Sequence, residues 1–118
     1  NVLIYGVYLA VLAGYKQVVC YGADLSFHMD VQVNQSNNQT YIQYRHFYKE
    51  ETTVEPLLKN PHKTEPFTMY ELLNLTALTY FAHASLLRWA QYQQVQIENA
   101  SSFSLLDVYP RRIASLDA

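Results

Sequence analysis

Apolar residues fill positions 2–13 almost without interruption, between Asn1 and Gly14. Asn is a favoured helix N-cap and Gly a favoured residue just past a helix end, so the run predicts a helix over 2–13. Because it is apolar nearly all round, that helix should be buried on more than one side. Residues 17–21 form a shorter apolar run closed by Gly22, the pattern of a strand covered on both faces. Polar residues dominate 30–40, with the cluster Asn34-Gln35-Ser36-Asn37-Asn38-Gln39 reading as an exposed turn. Val31 and Val33 before it and residues 40–44 after it alternate, which predicts a peripheral β-hairpin. Residues 50–66 carry three prolines and many charges and read as a long loop. Thr68 with Glu71 three residues on makes a capping box. Met69, Leu72, Leu73, Thr76, Tyr80, Ala84, Leu87 and Gln91 then trace a helical stripe ending near Gln93. A second strand is expected over 95–99, an exit turn over 99–102, and a short helix from 104 to 109, stopped by Pro110.

Two strands separated by a helix of this length should lie parallel, joined by a right-handed crossover. The predicted class is therefore α/β, with a long crossover helix and a peripheral hairpin. Two strands are too few for a stable parallel sheet, so further strands are expected from sequence before Asn1 or from a partner. The domain is expected to span 1–112, with 113–118 as a tail.

Composition narrows the function classes. Half of the 118 residues are apolar and 15% are charged, the balance of a globular domain. Eleven tyrosines suit the half-buried walls of a cleft. The net charge of −2 offers no basic surface for nucleic acid. The single cysteine, Cys20, cannot form an internal disulfide, which points to a reducing, cytoplasmic setting. The first apolar run is shorter than the about 20 residues a membrane span needs, and no basic segment precedes it as in a signal peptide. A chain that starts on Asn rather than Met is expected to be the C-terminal part of a longer protein. Sequons occur at Asn34, Asn38, Asn74 and Asn99, a weak signal in so Asn-rich a sequence.

Polar side chains collect just past both predicted strands: Asp24, Ser26 and His28 after the first, Asn99, Ser101 and Ser102 after the second. In open α/β sheets ligands gather beyond the carboxyl ends of strands, where an Asp can hold ribose hydroxyls and Ser or Asn phosphate or sugar oxygens. Asp24 and Asn99 could equally cap their turns, as Asx residues commonly do. A second cluster, Arg45-His46-Phe47-Tyr48, offers a cation for a diphosphate and a general base, or an ordinary surface strand. His28, His46, His62 and His83 show no metal-ligand spacing, and His83 reads as a packing residue of the long helix. No Walker loop, GxGxxG or GxSxG is present.

Tyr5, Gly14-Tyr15-Lys16, the following strand and the Gly22-Ala23-Asp24 turn resemble the second half of the bacterial sialyltransferases that use CMP-sialic acid. They also resemble the related motility accessory factors and 6-hydroxymethylpterin diphosphokinase-like proteins. Capsule and lipopolysaccharide-locus members are more similar still, through Gly22–Ser26, His46-Phe47-Tyr48, the Phe67-Thr68-Met69-Tyr70-Glu71 helix start and the Asn99–Phe103 strand exit. The likeness covers about 1–112 in order. It implies a Rossmann-like sheet of which this is the C-terminal portion, with Asn1, Gly22, Ala23, Asp24 and Ser26 against the nucleotide and His28, Asn99, Ser101 and Ser102 toward the substrate. The catalytic histidine of the sialyltransferases precedes the long helix. Here Glu65-Pro66-Phe67 stands in that place, with His62 the nearest histidine, and Tyr70 replaces the histidine common before the helix-start Glu in the capsule members.

The leading expectation is a glycosyltransferase taking a nucleotide-sugar donor and a glycan acceptor in surface polysaccharide synthesis. His46 would be its base, with Arg45, Tyr48 and Ser26 near the leaving phosphate, and no metal. A diphosphokinase-like phosphotransferase is the first alternative. It would need Mg²⁺ and convergence of carboxylates such as Asp24 and Glu71. A non-catalytic binding or assembly domain, as a homo-oligomer that covers its own sheet, is the second.

Overall fold

The Asn1 side-chain oxygen accepts the Leu3 N–H at 2.9 Å and opens helix α1, Val2–Leu12, in the computed structural model, which describes residues 1–45, 52–60, 62 and 64–112. At its other end Gly14 takes φ +91°, a conformation that suits glycine. The N–H groups of Ala13, Gly14 and Tyr15 bond back to the carbonyls of Leu9, Val11 and Ala10. Both ends follow the sequence expectation. Burial does not: Val7 and Val11 are buried with Leu3 and Ile4 packed beside them, whereas Val2, Tyr5, Leu9 and Leu12 are exposed. At 3.6 residues per turn these two sets occupy opposite faces, and one of them meets the core.

The described residues form two units, Asn1–Leu25 with the chain from Ala77 onward, and Ser26–Thr76. In the first, β1 (Gln17–Cys20) pairs in parallel with β5 (Gln96–Asn99), with Gln17 opposite Gln96 and Cys20 opposite Asn99. The parallel pairing of these two strands was legible in the sequence; the expected covering of both faces is not found. Side chains alternate across a strand, and paired residues of a parallel ladder share a face. Val18, Cys20, Ile97 and Asn99 therefore share one face, where Cys20, Ile97 and Asn99 are buried. Gln17, Val19, Gln96 and Glu98 share the other. There the Gln17 amide donates to Glu98 at 3.1 Å and the Arg112 guanidinium stands 3.9 Å from the same carboxylate. One face of this sheet is apolar and the other is mostly polar.

Helix α2, Met69–Tyr92, carries the predicted capping box. The Thr68 N–H donates to Glu71 at 2.9 Å, and the Glu71 N–H donates to the Thr68 hydroxyl at 3.2 Å. The unit boundary falls within this helix, after Thr76. Its buried positions are Leu72 in one unit and His83, Leu86 and Ala90 in the other, with Tyr80 and Leu87 packed beside the latter. Leu73 and Gln91 of the expected stripe are exposed, because the buried line runs through 83, 86 and 90 instead. In the first unit Asn1 lies beside His83 and the Tyr8 ring sits 5.2 Å from Trp89. Numbers rise together along both helices, so α1 runs parallel to α2 alongside it.

The chain from 104 to 109 is not the expected helix. Its N–H groups bond elsewhere: Leu105 to the Asp24 carbonyl at 2.8 Å, Leu106 to the Ser104 hydroxyl at 3.1 Å, Asp107 to the Leu105 carbonyl at 3.1 Å. Leu106 and Tyr109 from this segment complete the first core.

The second unit contains a 3₁₀ turn, Phe27–Asp30, and an antiparallel sheet ordered β2 (Val31–Val33), β3 (Thr40–Arg45), β4 (Thr52–Pro56). The hairpin of β2 and β3 is the predicted one. The loop reading of 50–66 is corrected, since 52–56 pairs with β3 in the register Arg45 to Thr52 and Tyr41 to Pro56. Thr52, Thr53 and Val54 are β-branched and favour an extended backbone, and Pro56 ends the strand, where no ladder donor is required. Ile42, Leu57 and Leu72 form this unit's core. The architecture is mixed α/β, with a two-stranded parallel and a three-stranded antiparallel sheet.

Candidate functional site

Because β1 and β5 are parallel and in register, their exit turns leave the sheet side by side. The Ala23 N–H donates to the Ser101 hydroxyl at 2.8 Å, the Ser104 hydroxyl donates to the Ala23 carbonyl, and the Ala100 N–H donates to the Cys20 carbonyl at 2.8 Å. Asn99 sits beneath, fully buried. Its amide nitrogen donates to the Ser104 hydroxyl at 2.9 Å and the Leu106 carbonyl at 3.2 Å, while its amide oxygen accepts the Ser101 N–H at 3.0 Å. The Arg111 guanidinium donates to the Ser101 carbonyl, so the rim of the turn carries a cation.

The expected site residues thus divide by role. Gly22 is exposed at φ +67°, with nothing within 4 Å of where a Cβ would stand, and the turn stays open over it. Ala23 is buried with both backbone groups engaged. Asp24 is half-buried, its carbonyl taken by Leu105, and among the described residues nothing pairs with its carboxylate. Asn99 and Ser101 are buried and bind the turns to each other, whereas Ser102 is exposed. Asn1 caps α1, and its amide nitrogen lies 3.5 Å from His83 Nε2.

Ser26 and His28 belong to the second unit. Ser26 precedes the 3₁₀ turn and accepts the Met29 N–H on its carbonyl at 3.0 Å, and His28 is half-buried within that turn. Arg45 ends β3. His46 and Tyr48 lie outside the described residues, as does the 113–118 tail.

No protein-family model, curated protein or solved structure matches the chain. No group of three or more His, Cys, Asp or Glu side chains gathers as a metal site among the described residues. Of the two carboxylates a Mg²⁺ site would draw on, Glu71 is occupied in the second unit by the α2 cap and by Lys59 at 2.7 Å. The Lys59 ammonium and the Thr68 N–H hold the Glu71 carboxyl below its usual range. No helix among the described residues is long and apolar enough to cross a membrane.

Three contributors escaped the sequence reading. Ser104 and Arg111 tie the exit turn together, and Tyr109 places its hydroxyl 2.7 Å from Nδ1 of His83. His83 was recognised as a packing residue, but its partner 26 positions away carries no local signal. Burial pushes the His83 pKa down and the Tyr109 and Cys20 pKa values up, leaving all three neutral.

Proposed function

We propose that the chain is the nucleotide-sugar-binding, C-terminal portion of a Rossmann-like glycosyltransferase acting in the cytoplasm on surface polysaccharide. One observation carries this reading: two strand-exit turns stand side by side beyond the carboxyl ends of parallel strands, the position ligands take in α/β sheets. At that position the exposed Gly22 lets a ligand approach the backbone, and the unpaired Asp24 carboxylate can accept hydrogen bonds from a ribose or sugar diol. Ser102 and the Arg111 guanidinium supply a hydroxyl and a cation for phosphate oxygens. The order of short motifs shared with the CMP-sialic acid-dependent sialyltransferases supports the same ligand class. In this reading Asn99 and Ser101 act as positioning residues beneath the site.

An inverting transfer requires a base to take the acceptor hydroxyl proton, and on the sequence clustering and resemblance His46 would take that role, with Arg45, Tyr48 and Ser26 near the leaving phosphate. The test is calorimetric titration of the chain with CMP, UDP and GDP. Saturable binding of one of them, weakened at least tenfold by Asp24→Asn, is the expected result. Absence of binding by all three, or binding indifferent to Asp24→Asn, overturns the reading. His46→Ala should abolish sugar transfer while leaving nucleotide affinity within twofold.

A further inference from the structure

The first unit is inverted relative to an ordinary two-layer α/β fold. The outward face of its sheet carries Gln17, Gln96 and Glu98, as a solvent face should, yet the outward surface of its helices is apolar. On α1, Val2 (86% exposed), Tyr5 (69%), Leu9 and Leu12 recur at intervals of three and four, opposite the buried Val7 and Val11. On the neighbouring part of α2, Leu78, Phe81 (64%) and Tyr92 (85%) are likewise exposed. The pairings of Asn1 with His83 and Tyr8 with Trp89 set the register of the two helices. By that register Val2 lies within a turn of Phe81, and Leu12 lies beside Tyr92. The helix layer therefore presents one apolar surface rather than scattered residues.

We propose that this surface is covered by the same surface of a second copy, in a two-fold symmetric dimer packed through α1 and the 77–92 part of α2. Its seven large side chains are each more than half exposed, together a surface on the order of the 800 Å² that each partner buries in a standard interface. Charge argues for self-association. Helix α1 has no charged residue, 77–92 has only Arg88, and no Asp or Glu occurs in 1–23 or 72–97. A face without an acid-base pattern meets its own copy with little like-charge opposition, as an isologous contact requires. A lipid surface is the less favoured occupant: one cation on the face, with Lys16 beside it, falls short of the clusters of roughly four to eight that hold proteins on anionic bilayers.

Sedimentation velocity of the whole chain tests this. The expected result is a dimer at micromolar concentration, converted to monomer by Leu9→Glu and by Phe81→Glu with the far-ultraviolet circular dichroism unchanged. Gln96→Glu, on the polar sheet face, leaves the dimer intact. If Leu9→Glu loses helicity, the milder Tyr5→Ser takes its place and should shift the dimer toward monomer at least tenfold. A monomeric wild type overturns the proposal, as does a dimer insensitive to both helix substitutions. Co-sedimentation of a monomeric chain with anionic vesicles overturns it in favour of a lipid surface.

Discussion

The Ala23 backbone N–H reaches the buried Ser101 hydroxyl at 2.8 Å across 78 residues of sequence. This bond joins the two strand exits, and Ser101 has the Asn99 amide and the Arg111 guanidinium on its own backbone. Ser101→Ala leaves the Ala23 N–H buried without a partner, which costs about 1–3 kcal/mol. Urea unfolding should show that loss in the midpoint, with the slope unchanged.

Asn99→Ala should be more damaging to the fold than Ser102→Ala. Asn99 is fully buried with three hydrogen bonds, and its removal orphans the Ser101 N–H and empties its site. Ser102 is exposed, so its replacement should change stability by less than about 0.5 kcal/mol. Under the nucleotide reading Ser102→Ala still weakens ligand affinity. Thermal melts paired with nucleotide titration separate the two outcomes.

His83 gives the stability a pH dependence. Its ring is buried against Tyr109, and burial lowers its pKa, so the folded form holds it neutral. The unfolded chain takes up the proton near pH 6.5. The His83 contribution is therefore complete above about pH 6.5 and is lost progressively as the pH falls from there toward the depressed folded value. Unfolding midpoints should decline from pH 7.5 to 5, and His83→Gln, which cannot titrate, should make the decline shallower.

Thr68→Ala removes the hydroxyl that accepts the Glu71 N–H at the start of α2. The expected cost is about 1 kcal/mol, with hydrogen exchange quickened in the first turn of the helix. Indifference of both measurements would mean that Glu71, paired with Lys59 at 2.7 Å, holds the helix end without the cap.

The candidate site was partly legible because strand-end chemistry is local. Gly22-Ala23-Asp24 and Asn99 through Ser102 announce turns by residue type, and a long helix between two strands implies that the strands are parallel. Which of those polar residues face outward was not legible. Asn99, Ser101 and Ser102 are alike in sequence. Only the contact of one turn with the other buries the first two and leaves the third at the surface.

By itself the sequence determined what short-range physics controls: the Asn1 and Thr68 caps, the Gly14 helix end and the Gly22 turn, the existence of α1 and α2, the β2–β3 hairpin and both strands of the parallel pair. Each depends on groups a few residues apart. Tertiary structure decided the rest. Residues 104–109 lost their helix to hydrogen bonds with the Gly22 turn, and 52–56 became a strand because β3 offered an edge. The outer face of α1 stayed exposed although its run is apolar, and the outer face of β1 carries Gln17 beside a half-buried Val19. An apolar pattern says that a face avoids water, not which partner removes it, and that choice belongs to contacts between residues far apart in the chain.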